Sequence, residues 1–259
     1  MLELYHNTIS TCSQKVRLCL AEKGLGYIDR HINFRANDHL SPEYLKINPN
    51  GVAPSLVHNG KPVIDSSVII EYLDEVFPEI SLTPADPVER ARMRAWLRYF
   101  EEVPTVAVRF PSFNQVFMPF FNAISEEQFN ADADKRPLRK HFYQKMGQNG
   151  FSERDIAESL ERIGNTAQRI DKAVSEGGPW IMGDKLTLAD LCVAPLMDRM
   201  DDLGHSALWQ QYPAFCGWLE RIRSRPSWPI AFYYGSRLSE GSGDGVLTRP
   251  DLVGQSVRS

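Results

Sequence analysis

The stretch Asn50–Leu73, NGVAPSLVHNGKPVIDSSVIIEYL, decides the fold, because it runs a strand start, a tight turn and a capped helix together without a break. Pro54 has no backbone N–H and so suits the first residue of a strand or an edge position. The runs SLVH and KPVI flank Asn59-Gly60, the dipeptide that best fits a two-residue hairpin turn. Asp65, Ser66 and Ser67 then open a helix on which Val68, Ile69, Tyr72, Leu73 and Val76 recur on one face. A hairpin leading into an amphipathic helix calls for a second layer, and the residues upstream supply it.

Working outward, LELYH alternates apolar and polar side chains over a strand's length. STCSQKVRLCLAEKG places Val16, Leu18, Cys19 and Leu20 on a helix that Gly24 ends. YIDRHINF reads as a second strand, and SPEYLKIN as a short helix with Ser41 as its cap and Pro42 in its first turn. The order βαβαββα over residues 1–80 is a small α/β sandwich in which a right-handed crossover joins the first two strands. Three prolines in FPEISLTPADPVER, Pro78, Pro84 and Pro87, mark a linker assigned to 81–87, and residues 88–235 show only helical periodicity. PVERARMRAWLRYFEEV starts at an Asp86 cap with Pro87 behind it. RDIAESLERIGNTAQRIDKAV carries Ile156, Leu160, Ile163, Ala167, Ile170 and Val174 at helical spacing. The Gly/Ser-rich residues 236–259 read as a flexible tail.

Composition narrows the function. A chain of 259 residues with 42% hydrophobic and 24% charged side chains supports two modest cores. A net charge of −4 gives no basic footprint, so nucleic acid and anionic membranes are poor partners and a small ligand suits better. Cys12, Cys19, Cys192 and Cys216 form neither a CxxC pair nor a zinc-spaced cluster with histidine, so no metal site is expected and the thiols read as reduced. MLELYHN lacks a basic segment followed by an apolar one, and no apolar run reaches the ~20 residues of a membrane span. The expected location is cytoplasmic.

Three places suit one kind of ligand. Ser10, Thr11, Cys12 and Ser13 stand at a helix N-terminus, where free N–H groups and the helix dipole favour an anion such as a thiolate. Ala53 precedes Pro54; a cis bond there would turn the Ala53 backbone outward toward an extended peptide. Asp65 and Ser66 can cap the next helix, and they can also hold an amine and a carboxylate.

These motifs resemble the glutathione transferase superfamily, through ISTCSQKVRLCLAEKG, LKINPNGVAPSLVHNGKPVIDSSVIIEYLDEVFPE and, further on, GDKLTLADLCVAPLM. In the last of these Thr187 would cap a buried helix and Asp190 would close a capping box. The resemblance implies a thioredoxin-like first domain followed by an all-helical domain, glutathione as co-substrate, and a homodimer pairing the first domain of one chain with the second of the other. It also implies that Ala53 pairs with the cysteinyl backbone beside a cis Pro54. Val52 and Thr11 join that contacting set, Asp65 and Ser66 take the γ-glutamyl end, and His39 takes the glycyl carboxylate.

The chemical task is to keep a thiol ionised, since a free thiol near pKa 8.5 is mostly protonated at neutral pH. By its spacing from Arg17, Ser10 resembles the catalytic position of the tau, theta, zeta and omega classes and is the first candidate. Cys12 resembles the beta-class cysteine, Ser13 a serine of bacterial β-etherases, and Thr11 a serine of the zeta class. With serine, glutathione's own thiolate attacks an electrophilic carbon; with Cys12, the protein is the nucleophile and thiol transfer or deglutathionylation follows. A binding module that kept the fold without the activity is the third reading. RFPSFNQVFMPFF, with Arg109, Phe110, Phe113, Phe117, Phe120 and Phe121, is the candidate aromatic pocket for the electrophile between the domains. Pro111 and Pro119 argue that it is no plain helix. The charged insert behind it, around PLRKHFYQKMGQNGF, partly resembles bacterial β-etherases, and Tyr143 is a further polar candidate.

Overall fold

A computed structural model of the chain describes residues 1–240. Strands Leu2–His6 (β1), Ile28–His31 (β2), Ser55–His58 (β3) and Lys61–Ile64 (β4) form one sheet in the order β2-β1-β3-β4. β1 and β2 run parallel, while β3 is antiparallel to both β1 and β4. Helix α1 (Thr11–Glu22) makes the crossover between the parallel pair; α2 (Pro42–Ile47) and α3 (Ser66–Val76) follow in the expected places. Gly24, at φ 63°, ends α1: Leu25 N–H donates to Leu20 O at 2.9 Å and Gly24 N–H to Ala21 O at 3.2 Å, which satisfies the last carbonyls.

The apolar face of α3 differs from its sequence reading. Ile69, Ile70 and Leu73 are buried, whereas Val68 is 45% and Val76 40% exposed. Apolar residues lie on two adjacent stripes of this helix, so spacing alone cannot choose between them; packing against α1 selects the stripe that contains Ile70.

The second domain begins with α4 (Pro87–Glu102), capped by Asp86, whose carboxylate accepts from the N–H groups of Val88 and Glu89. Short helical pieces α5 (Pro104–Ala107), α6 (Arg109–Ser112) and α7 (Met118–Phe121) continue it, with a π-helical turn at Phe113–Phe117. Prolines at 104, 111 and 119 withhold N–H groups and crowd the preceding turn, so one straight helix cannot form. The insert folds into α8 (Glu126–Asp134) and α9 (Lys140–Met146). Then come α10 (Glu153–Gly177), α11 (Leu188–Asp202), α12 (Pro213–Arg223) and α13 (Ser227–Ala231).

Leu4, Val16, Leu56 and Ile69 from the first domain share one continuous core with Leu97, Ile163, Leu191 and Trp218 from the second. At its base Asp190 accepts from Thr187 N–H at 2.9 Å, Ile181 N–H at 3.0 Å and Trp218 Nε1–H at 2.9 Å. Met118, Phe129, Met146 and Phe151 make a second, smaller core under the insert. Residues 236–240 of the expected tail are packed: Ser236 is fully buried, Leu238 is buried, and Arg237 pairs with Asp198. Four residues of that segment, Ser236 to Ser239, find polar partners on α1 and α11, which a Gly/Ser-rich composition does not reveal; residues 241–259 of the expected tail lie outside the described residues.

Candidate active site

β1 hands the chain to α1 through a turn that Asn7 holds from inside. Its Nδ2 donates to Ile32 O at 2.9 Å, its Oδ1 accepts from Ile9 N–H at 3.2 Å, and its own N–H donates to Ser13 Oγ at 3.3 Å. Ser13 is therefore buried in the service of the turn. Ser10 is the N-cap of α1, and its Oγ accepts from Ser13 N–H at 3.3 Å. A hydroxyl that accepts in this way still has its hydrogen to give, and no acceptor among the described residues takes it. Ser10, Thr11 and Cys12 are half-buried at the mouth of the helix. Cys12 is near enough to Arg109 to act on its charge.

Arg17 frames this turn, a role its sequence position as a landmark did not disclose. It is buried, with Nη2 donating to Thr8 O at 2.9 Å, Nη1 to Asn7 O at 3.3 Å and Nε to Ala231 O at 2.9 Å. A charged residue inside the buried run Val16–Leu20 was the available signal. Arg199 also donates to Ile9 O, and burial depresses its pKa to about 10.

The second wall is the segment 37–54. Ala53–Pro54 is cis. Val52 O accepts from Tyr44 Oη–H at 2.7 Å and Asn48 Nδ2 at 2.8 Å, so two inward hydrogen bonds hold the stub that ends at Ala53. Gly51 sits at φ +60°, where a Cβ would stand 3.0 Å from Leu40 Cδ2 and 3.1 Å from Pro137 Cδ. The insert thus lies directly on this loop. His39, only 4% exposed, receives a hydrogen bond at its Nε2 from Arg136 Nη1 at 2.8 Å, which leaves Nδ1 as the protonated nitrogen. Nδ1 and Arg136 Nε are both buried without a protein partner. Burial, and after it the Arg136 charge, drives the His39 pKa down to about 4, so the ring is neutral at pH 7.

The third wall is the start of α3. Asp65 caps it from φ 71°, a conformation costly to a residue with a Cβ, and its Oδ1 accepts from Ser67 N–H at 2.9 Å, Val68 N–H at 3.2 Å and Ser67 Oγ–H at 2.7 Å. Burial opposes the Asp65 charge, but these hydrogen bonds and the nearby Lys15 prevail and lower its pKa. Ser66 is buried, and its Oγ accepts from Lys15 Nζ at 3.1 Å.

The second domain brings Arg109 to the mouth of α1. Burial and the neighbouring Arg139 lower its pKa to about 10, partly offset by Cys12 and Glu101. Behind it the aromatic residues are packed rather than arrayed around an open cavity. Phe110 lies 4.2 Å from Phe151, and Phe113 lies 5.0 Å from Phe142, 5.8 Å from Tyr143 and 5.1 Å from Phe117. Phe110 and Phe113 stay half-buried, and α9 and the 147–152 turn supply ring partners that sequence spacing along one helix cannot show. Phe120 is exposed, with the Arg35 guanidinium 3.9 Å from its ring centre. Two surface cavities of about 440 and 510 Å³, lined by residues such as Trp96, Arg169 and Tyr212, share no residue with these walls. No group of acidic, histidine or cysteine side chains among the described residues could hold a metal ion, and no described helix is long and apolar enough to cross a membrane.

Residues 4–81 match the family model described as glutathione S-transferase, N-terminal domain, and residues 131–226 the one described as glutathione S-transferase, C-terminal domain. The chain belongs to the glutathione S-transferase family. It is a glutathione transferase, with glutathione as co-substrate. This transferase is 30% identical over 234 residues to Protein LigF from Sphingobium sp. strain SYK-6, across 87% of this chain and 91% of that one. The crystal structure of that protein, named a beta-etherase, superposes with a TM-score of 0.80 over 89% of this chain and 98% of its own. Glutathione S-transferase 1 of Dianthus caryophyllus is 32% identical over 194 residues, 75% of each chain. The tetrachloro-p-hydroquinone reductive dehalogenase of Sphingobium chlorophenolicum is 24% identical over 241 residues, 89% of the transferase and 95% of the dehalogenase.

Proposed function

We propose that the transferase binds glutathione across the three walls, with its sulfur at Ser10, its cysteinyl backbone along Val52–Ala53, its γ-glutamyl end at Asp65 and Ser66 and its glycyl carboxylate near His39. The observation that carries this reading is the uncommitted hydroxyl proton of Ser10 at the N-terminus of α1. Glutathione's thiol gives its proton to solvent, and the Ser10 O–H and the helix dipole hold the remaining anion. The thiolate then attacks an electrophilic carbon of a hydrophobic, aromatic substrate, and the leaving group departs with the bonding electron pair.

The substrate reading follows the insert. The match to LigF runs through α8 and α9, and the ring-rich second core lies beside Arg109. An aryl ether fits: thiolate attack on the ether carbon expels a phenolate, and the half-buried guanidinium of Arg109 favours that developing negative charge. Two copies associate through the face of α3 and α4 that exposes Val68, Val76 and Val88. Four free thiols suit a reducing cytoplasm.

The test is turnover of an aryl halide and of a β-aryl ether by Ser10→Ala and Cys12→Ala. A tenfold or greater loss confined to Ser10→Ala supports the reading. A second reading rests on the place of Cys12, a half-buried free thiol in the first turn of α1: there the protein's own sulfur is the nucleophile, and thiol transfer runs through a mixed disulfide. Mass spectrometry after mild oxidation with glutathione disulfide then finds a glutathione adduct on Cys12, and its absence removes that reading.

A further inference from the structure

Lys15 is fully buried, an unusual place for an ammonium ion. It points from α1 to the start of α3, donating to Ser66 Oγ at 3.1 Å, and it is ion-paired with Glu101 of α4. Glu101 also receives the Cys192 thiol at 3.7 Å. Taking an ammonium and a carboxylate out of water costs several kcal/mol per ion, and packed apolar side chains often replace such a pair without loss of stability. Stability alone therefore does not account for it. Hydrogen-bond direction suggests a second role. An ammonium only donates, so Ser66 Oγ must accept from Lys15, and the Ser66 hydroxyl hydrogen is left without a protein acceptor among the described residues. Ser66 is the first residue of α3, directly after the cap Asp65, so this hydroxyl stands at the N-terminus of that helix.

We propose that Lys15 is a positioning residue for the co-substrate: it locks the Ser66 hydroxyl as a donor to the α-carboxylate of the γ-glutamyl group, and through Glu101 it ties that subsite to the second domain. This rests on the reading of glutathione at Asp65 and Ser66 given above. Without the ammonium, Ser66 is free to rotate and to spend its proton on Glu101 or a neighbouring carbonyl. With it, only an anion arriving from outside can take that proton. The Lys15 charge adds to the helix N-terminus at the same point; burial opposes that charge, but the neighbouring Cys192, Glu101 and Cys12 outweigh it and raise its pKa, so the group is protonated throughout the working range.

The experiment compares two thiols, glutathione and γ-aminobutyryl-cysteinyl-glycine, which lacks only the γ-glutamyl α-carboxylate. The proteins are the wild type, Lys15→Met, and Lys15→Met combined with Glu101→Gln, the last so that no buried carboxylate is stranded if the single variant folds poorly. We expect Lys15→Met to raise KM for glutathione at least tenfold and that for the analogue less than twofold, with kcat for either thiol changed less than threefold, so that the wild-type preference for glutathione collapses. The double variant should behave in the same way. Equal increases for both thiols, or an unchanged KM for glutathione, overturn the proposal and reduce Lys15 to a bolt between domains. A wild type that does not distinguish the two thiols overturns the assignment of Asp65 and Ser66 to the γ-glutamyl end, and the proposal with it.

Discussion

Arg136 of the insert donates to His39 of the loop between β2 and α2 at 2.8 Å, so two residues 97 positions apart meet across the domain boundary. The contact fixes the tautomer of a buried imidazole and sets a cation beside it. Its consequence is a dependence of stability on pH. In the unfolded chain His39 binds a proton near pH 6.5, and in the folded protein only near pH 4. Between those values the unfolded state holds more protons, so stability is complete above pH 6.5 and falls as the pH drops toward 4, by at most about 3 kcal/mol. Urea unfolding at intervals from pH 4 to 7 should show this slope in the wild type and a shallower one in His39→Gln. Identical slopes would contradict the assignment.

Ser10 caps α1, and the proposed function gives it a second job, which one substitution separates in magnitude. Ser10→Ala removes a helix cap worth about 1 kcal/mol and, under that proposal, the donor to the sulfur. Turnover should drop at least tenfold, while the unfolding midpoint moves only by the amount a lost cap explains. Ser10→Thr should restore the cap and much of the rate. Steady-state kinetics beside a denaturant titration checks both.

Asp190 collects two backbone N–H groups, the Thr187 hydroxyl and the Trp218 indole N–H in a site without water access. Burial pushes its pKa up while those donors pull it down, and burial wins. Asp190→Ala strands all of these donors, so a loss on the order of 3–5 kcal/mol is expected. Asp190→Asn keeps part of the acceptor capacity and should lose less. A variant within 1 kcal/mol of wild type in guanidinium unfolding would show that the network is dispensable.

Arg17 holds the carbonyls of Asn7, Thr8 and Ala231 at once. Arg17→Met leaves these buried acceptors unpaired at roughly 1–3 kcal/mol each where no water reaches them. The expected result is a markedly less stable protein, with turnover falling more steeply on warming than stability alone dictates, because the turn that carries Ser10 loosens first. Activity and hydrogen exchange at the Asn7–Ser10 amides, followed over temperature, test this order of events.

Local rules carried much of the fold to the reader of the sequence. The Asp86-Pro87 start, the Asn59-Gly60 turn, the Ser41-Pro42 cap and the Thr187–Asp190 box each involve residues within a few positions of one another, and each stands where its chemistry puts it. The candidate site was legible to the same depth: Ser10, Ala53–Pro54 and Asp65 announce themselves by capping and proline chemistry. Lys15, Arg136 and Arg17 did not, because their partners Glu101, His39 and Ala231 lie 86, 97 and 214 residues away. Periodicity on α3 likewise could not tell Val68 from Ile70, since only the neighbouring helix breaks that tie. The ring partners of Phe110 and Phe113 were hidden for the same reason: Phe151 and Phe142 arrive from the insert.

The bonds from Arg17 to Ala231 O and Ser236 Oγ, and from Gln14 to Ser236 O, have a bearing on the order in which the protein becomes competent during its synthesis. The thioredoxin-like domain leaves the ribosome first and has the local contacts to begin folding alone. The turn that carries Ser10, however, borrows its final supports from residues made more than two hundred codons later. A nascent chain that stops short of residue 231 carries every glutathione contact proposed here and still lacks the supports of the turn that carries Ser10, so the proposed capacity to ionise the thiol should appear late, when Ala231 and Ser236 close over α1.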